Sequence, residues 1–178
     1  MSTSTVAKRY ALALLQIAKE QKQLESMEEE LRIVKEVFTN NQELLSILHS
    51  PKLTIVKKQE LLRGVFASLS PYVVNTLLLL TERHREDEIA EVAEAYIQLA
   101  NEERGIAEAT VSSVRPLSDQ EVAAISANFA GKVGKKSLRI TNVVNPQLLG
   151  GIKVRIGNRI YDGSISGKLK RLEKQLAH

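Results

Sequence analysis

The hydrophobic periodicity of the sequence changes near Gly105. Before this glycine, apolar residues recur at intervals of three and four, a spacing typical of amphipathic α-helices. One such row consists of Val6, Tyr10, Ala13 and Ile17. From Ile106 onward, apolar and polar residues alternate, which is typical of β-strands. The sequence therefore predicts an α+β protein of two domains, a six-helix bundle over residues 1–105 and a small domain over 106–178.

Six short helices are predicted in the first domain. Asn40-Asn41 and Ser50-Pro51 interrupt the helical spacing, and Ser70-Pro71 is a typical helix start because proline suits the first turn. Short links between short helices favour a compact bundle. The predicted helices begin near Val6, Leu24, Glu43, Thr54, Pro71 and Ile89.

Two of these helices are more apolar than packing on one neighbour requires. Apolar side chains cover roughly 200° of the first helix, about twice what a single packing face needs. The fifth helix is apolar almost all round between Tyr72 and Leu80, apart from Asn75 and Thr76. The additional apolar surface is either buried among several helices or offered to a partner.

The second domain is predicted to combine a β-sheet that includes a hairpin with two helices. Ser118 and Glu121 have the spacing of a capping box, which starts a helix that continues to about Val133. Gly157-Asn158 separates two alternating segments, as in a β-hairpin. The predicted strands are 106–116, 138–144, 152–156 and 159–164, and the closing helix is 166–176.

The two domains differ in the sign of their charge. Residues 1–105 carry 13 Lys or Arg against 16 Asp or Glu, whereas residues 106–178 carry 12 against 5. The basic second domain therefore favours an acidic neighbour, which nucleic acid, anionic lipid or an acidic protein would each provide.

The chain has no Cys, which excludes disulfides, thiolate nucleophiles and Cys-ligated zinc. We expect no signal or transit peptide and no membrane span, so membrane association would come through partners.

A phosphate-binding loop is one alternative reading of Gly167-Lys168. That motif requires glycine at position 162 and Ser or Thr at 169, where this chain has Asp162 and Leu169. We favour instead a serine cap, from Ser164 or Ser166, at the start of the closing helix. A phosphate-handling enzyme stays an alternative that turnover sensitive to Lys168→Ala would support.

Nucleic-acid binding is the second alternative. Lysines and an arginine cluster within residues 132–139, but only Phe129 and Tyr161 supply aromatic rings in this half, too few for a base-stacking platform. A solvated face or an acidic protein partner explains the charge equally well.

Of the three histidines, only His84 has acidic neighbours, and a solvated charge run explains them better than a metal site. No catalytic, cofactor or metal site is predicted.

An ordered series of residues runs through the second domain: Leu138, Ile140, Val144, Asn145, Leu148, Gly150, Gly151, Ile152, Val154, Arg155 and Gly157. This series resembles the signature of the delta subunit family of F-type ATP synthases, which includes the mitochondrial oligomycin-sensitivity-conferring protein. The start of the chain, Val6 to Leu14, and its end, Tyr161 to Leu169, are also similar to that family. The resemblance therefore covers essentially the whole chain.

The resemblance implies a non-catalytic peripheral-stalk subunit, present in one copy, that resists rotary torque during proton-driven ATP synthesis. It implies a groove between the first and fifth helices that binds N-terminal segments of the alpha subunits. It also implies that the second domain contacts the C-terminal ends of the b subunits through its hairpin and closing helix. The implied location is the cytoplasmic face of a bacterial membrane. The residues expected to line the alpha groove are Tyr10, Ala13, Leu14, Ile17, Val74, Leu77 and Leu78.

Overall fold

A computed structural model describes residues 4–176 of the chain, apart from the side chains of Lys170 and of residues 174–176. Within these residues it contains eight α-helices and one four-stranded β-sheet. The predicted mixed class of helix and sheet is therefore confirmed. The chain divides into two compact units, Met1–Ala100 and Asn101–His178, and the division falls within the sixth helix.

The first unit is helical. Polar side chains cap several helix starts, and Ser4, Asn41, Thr54 and Ser70 each accept hydrogen bonds from backbone N–H groups in the first turn. A 3-10 turn at Glu86–Glu88 leads into the sixth helix. The helices are α1 Thr5–Glu20, α2 Leu24–Asn40, α3 Gln42–His49, α4 Ile55–Val65, α5 Pro71–Glu82 and α6 Ile89–Arg104.

The core of the first unit is aliphatic, as the low aromatic content requires. Three fully buried alanines on α1 allow close packing of that helix: Ala7, Ala11 and Ala18. Tyr96 is fully buried, and its hydroxyl donates to the carbonyl of Leu24 at 3.4 Å. Burial raises the pKa of Tyr96 to about 12, and the carboxylates of Glu28 and Glu30 act in the same direction.

The second unit is built on one mixed sheet in the order β2-β1-β3-β4. Strand β1 pairs in parallel with β2 and antiparallel with β3, and β3 pairs antiparallel with β4, which confirms the predicted hairpin. The elements are β1 Ile106–Ser113, α7 Asp119–Ala130, β2 Ser137–Val144, β3 Ile152–Ile156, β4 Arg159–Asp162 and α8 Ile165–Leu176.

The capping box predicted at the start of α7 is present, with the Ser118 and Glu121 side chains each bonded to the other's backbone N–H. Helix α7 ends at Ala130, and the last residues of the predicted helix form a separate 3-10 turn, Gly131–Val133. The core of this unit lies between α7 and one face of the sheet, where the alternating apolar residues of the strands meet Ile125.

Candidate partner-binding surfaces

Helix α1 has its start held from two directions. The Ser4 hydroxyl accepts hydrogen bonds from the N–H groups of Val6 and Ala7, each at 3.2 Å. The Ser4 N–H donates in turn to Glu91 Oε2 on α6 at 3.1 Å. The cap satisfies the first free amides of the helix, and the bond to Glu91 ties the start of α1 to another helix.

Helix α5 begins in a similar way. The Ser70 hydroxyl accepts from the N–H of Val73 at 3.5 Å, and the Ser70 N–H donates to Glu30 Oε2 on α2 at 2.9 Å. Since α1 packs against α5, a carboxylate from a third helix positions each of the two starts. The two helices that the resemblance expects to form the groove are therefore both anchored at their starts.

The structure divides the seven predicted groove residues into two sets. Leu14 and Leu77 are only 2% exposed and Leu78 only 7%, and all three belong to the hydrophobic core of the first unit. They offer no surface to a partner in this structure, so their assignment to the groove is corrected. The sequence did not distinguish core from surface at these positions because both rows of α1 are apolar and α5 is apolar almost all round.

The other four residues stay at the surface. Ala13 is exposed, and Ile17 is partly exposed. Tyr10 and Val74 are partly exposed and pack against the core. On α1, three of the four lie within about 60° of one another at 100° per residue, along one flank of the buried face. These four residues are called the α1/α5 surface below.

A second exposed apolar surface lies on α8, the closing helix that the resemblance assigned to the b subunits only as a whole. Ile165, Leu169 and Leu172 follow at intervals of four and three, so they share one face of the helix. Leu169 and Leu172 are both 54% exposed. This row is called the α8 stripe below. The amphipathic spacing of the closing helix was a signal that sequence reasoning could have used.

Helix α8 is anchored by its opposite, polar face. Asp162 Oδ1 accepts from the Ser164 N–H at 2.9 Å and from the Ser164 hydroxyl at 2.6 Å, and the Gly167 N–H donates to Ser164 Oγ at 3.0 Å. Arg171 Nη2 donates to the carbonyl of Asp162 at 3.4 Å. At 100° per residue, Gly167 and Arg171 lie on the side opposite the α8 stripe. The side chains of Lys170 and Lys174, which the sequence places on this helix, lie outside the described residues.

This arrangement bears directly on the phosphate-loop alternative. A Cβ placed on Gly167 would lie 2.7 Å from Asp162 Oδ1, so the Asp162 carboxylate sits against the first turn of α8. Hydrogen bonds from Ser164, with Lys153 and Arg171 nearby, hold the pKa of Asp162 below its usual range. A negative charge therefore occupies the place where a phosphate would bind. Among the described residues, no group of three metal-ligating side chains converges.

The signature residues of the second unit have structural explanations. Gly151 has φ of +74°, and a Cβ there would lie 2.5 Å from the carbonyl oxygen of Gly163. Only glycine permits this backbone conformation and this close approach. Asn145 accepts from the Gln147 N–H at 3.0 Å, and its own N–H donates to the Ser113 carbonyl at 2.7 Å. The signature therefore marks the connection that carries the chain from β2 past the end of β1 to β3.

A family model described as ATP synthase delta (OSCP) subunit matches residues 6–176, which include both surfaces and the whole signature. The chain belongs to this family. Similar members include ATP synthase subunit delta of Geobacillus sp. (strain WCH70), 54% identical over 99% of both chains. The Bacillus subtilis (strain 168) subunit is 53% identical over 99% of this chain and 98% of its own.

A solved structure extends the comparison to mitochondria. One chain in the cryo-EM structure of the Toxoplasma gondii mitochondrial ATP synthase hexamer is similar with a TM-score of 0.68 and 26% identity. The match covers 98% of the present chain and 99% of that chain. The chain is thus a bacterial F-type delta subunit, a component of the peripheral stalk that links F1 to the stator.

Delta subunits are a non-catalytic, peripheral part of a membrane-bound complex. None of the helices described in residues 4–176 is long and apolar enough to cross a membrane.

Proposed function

We propose that the first unit, as a six-helix bundle, binds the amphipathic N-terminal segments of the alpha subunits on its α1/α5 surface. The observation that carries this proposal is the unequal burial of the two apolar rows of α1. The row that contains Leu14 is buried in the core. In the other row, Ala13 is exposed and Tyr10 and Ile17 are partly exposed. An apolar row left at the surface of a soluble helix fits the apolar face of a partner helix.

The second unit would then bind the C-terminal ends of the b subunits through the β3–β4 hairpin and α8. The α8 stripe supports this assignment because the polar face of α8 contacts Asp162, whereas the stripe on the opposite face is exposed. One copy of the chain would join the head to the stalk at the cytoplasmic face of the membrane and resist the torque of the rotor. This role requires no active site of its own.

Ala13→Asp tests the first contact. Because Ala13 is exposed in the free chain, the variant loses only helix propensity, about 0.7 kcal/mol or less. In the complex the same carboxylate would be buried without a partner, which costs about 3 kcal/mol or more. The affinity for the isolated catalytic head should therefore fall by a factor on the order of 100.

Leu12→Asp is the matched control. It places the same charge on α1, but at 100° per residue Leu12 lies about 160° from Tyr10, about 140° from Ile17 and about 100° from Ala13, and its side chain is exposed. This control should bind the head as the parent chain does. Titration calorimetry with the head and thermal unfolding of each variant separate binding from folding. Equal loss of affinity in both variants, or full affinity in Ala13→Asp, would place the alpha contact elsewhere.

A further inference from the structure

The edge of the sheet formed by β2 has open backbone groups. The order β2-β1-β3-β4 leaves one side of β2 without a neighbouring strand. In a parallel pair, alternate residues direct both their N–H and C=O toward the partner strand. The N–H of Leu138 donates outward to Ser126 Oγ at 2.9 Å, and the N–H of Asn145 donates inward to Ser113. Even-numbered residues of β2 therefore direct their backbone outward.

Only the first of these outward positions is covered. Ser126 Oγ accepts from the Leu138 N–H and also contacts its carbonyl oxygen at 3.4 Å. The described residues provide no hydrogen-bond partner to the outward backbone groups of Ile140, Asn142 and Val144. Proteins usually protect such an edge with proline, a bulge or several charges. Strand β2 contains no proline, and Arg139 is its single charged residue.

The side chains around this edge differ between its two ends. At the beginning of β2, Lys135 and Lys136 immediately precede the strand and make this end basic. At its end, Val143 and Val144 are aliphatic and about half exposed, with Val144 at 48%. A partner that matched both ends would carry carboxylates at one end and aliphatic residues at the other.

We propose that the β2 edge binds an extended, acidic segment of another ATP synthase subunit, which adds a fifth strand to the sheet beside residues 140–144. Backbone hydrogen bonds hold the segment, and the lysines and valines select its ends. A second copy of this chain fits the edge poorly because residues 106–178 carry 12 basic and 5 acidic residues, so two such units repel each other. The surface is independent of the α1/α5 surface, which lies in the other unit.

The alternation within β2 gives the experiment an internal control. Amide hydrogen exchange is measured on the full chain alone and on the chain within assembled ATP synthase. The amides of Ile140, Asn142 and Val144 should exchange fast in the free chain and slowly in the complex. The amides of Thr141 and Val143 face β1 and should be slow in both states. Fast exchange at all three outward amides in the complex would overturn the proposal.

Val144→Pro removes one outward N–H and keeps the pairing of β2 with β1, since proline is tolerated on the open side of an edge strand. Its affinity for ATP synthase depleted of this subunit should fall about threefold to tenfold, the value of one hydrogen bond. Val144→Thr keeps the amide and the branched shape and should bind as the parent chain does.

Two further measurements test the chosen occupant. Binding of Lys135→Glu to the depleted complex should be weaker than that of the parent chain, and an unchanged affinity would exclude an acidic segment. Sedimentation of the purified chain should show a monomer. A dimer that Val144→Pro dissociates would identify a second copy as the occupant and overturn the proposal.

Discussion

The buried ion pair of the first unit gives a stability prediction whose size follows from its burial. Lys58 Nζ on α4 lies 3.4 Å from Glu86 Oε1 in the 3-10 turn before α6, and the two side chains are only 8% and 4% exposed. Glu86→Gln removes the negative charge and leaves the ammonium of Lys58 buried without a counter-ion. Breaking a buried pair in this way costs about 3–5 kcal/mol. This loss is a large share of the free energy of unfolding of an ordinary domain, which is about 5–15 kcal/mol.

The neighbouring residue provides the control. Asp87 pairs with His49 at 3.1 Å, but both side chains are well exposed, and such a pair contributes about 1 kcal/mol or less. Unfolding in urea is followed by the circular dichroism of the helices. Glu86→Gln should therefore lower the urea concentration at the midpoint strongly, and Asp87→Asn should lower it little. With an unfolding slope of about 2 kcal/mol per molar urea, the expected shift for Glu86→Gln is about 1.5–2.5 M.

A double variant tests the physical reason. Lys58→Met combined with Glu86→Leu removes both charges and fills the same space, so it should regain most of the lost stability or exceed the parent chain. Equal, small shifts for Glu86→Gln and Asp87→Asn would refute the reasoning, because they would mean that water solvates Lys58. A double variant as unstable as the sum of its single variants would refute it as well.

Two further predictions concern single residues. Burial raises the pKa of Tyr96 to about 12, so the folded state favours the neutral phenol. The contribution of this group to the stability of the fold is complete below about pH 10, and it is lost as the pH rises through about 12. Titration followed by absorbance near 295 nm should show one tyrosine that ionises near pH 12, or when the protein unfolds. This step should be missing in Tyr96→Phe. Gly151→Ala should lower the free energy of unfolding of the second unit by more than about 2 kcal/mol, because its Cβ would meet the carbonyl of Gly163. Gly131→Ala, where a Cβ meets nothing within 4 Å, is the control, and equal stability of the two variants would contradict this explanation.

The local signals in the sequence were sufficient to locate the helices of the first unit. Each of the six begins within one residue of its predicted start, because Ser70-Pro71 and Thr54 cap where backbone amides lack partners. The hairpin around Gly157-Asn158 was predictable for a similar reason, since the turn residues and the alternation agree.

The candidate site was less predictable. On α1 the row of Leu14 and the row of Ala13 are both apolar, so periodicity alone does not tell which row faces the core. That choice depends on where other helices pack, which is a property of the whole unit. The edge position of β2 was hidden for the same reason, because strand order is set by long-range pairing and leaves no local pattern in 137–144.

The central position of β1 has a consequence for the order in which a ribosome can complete this fold. Both strands that flank β1 come later in the chain, β2 at Ser137–Val144 and β3 at Ile152–Ile156. The first unit, Met1–Ala100, precedes all four strands, so its helices can associate while synthesis continues at about 5–20 residues per second. Strand β1 has apolar residues on one face and lacks its β3 neighbour until residue 156 has been synthesised. Nascent chains arrested before position 152 should therefore carry a folded first unit followed by a protease-sensitive tail.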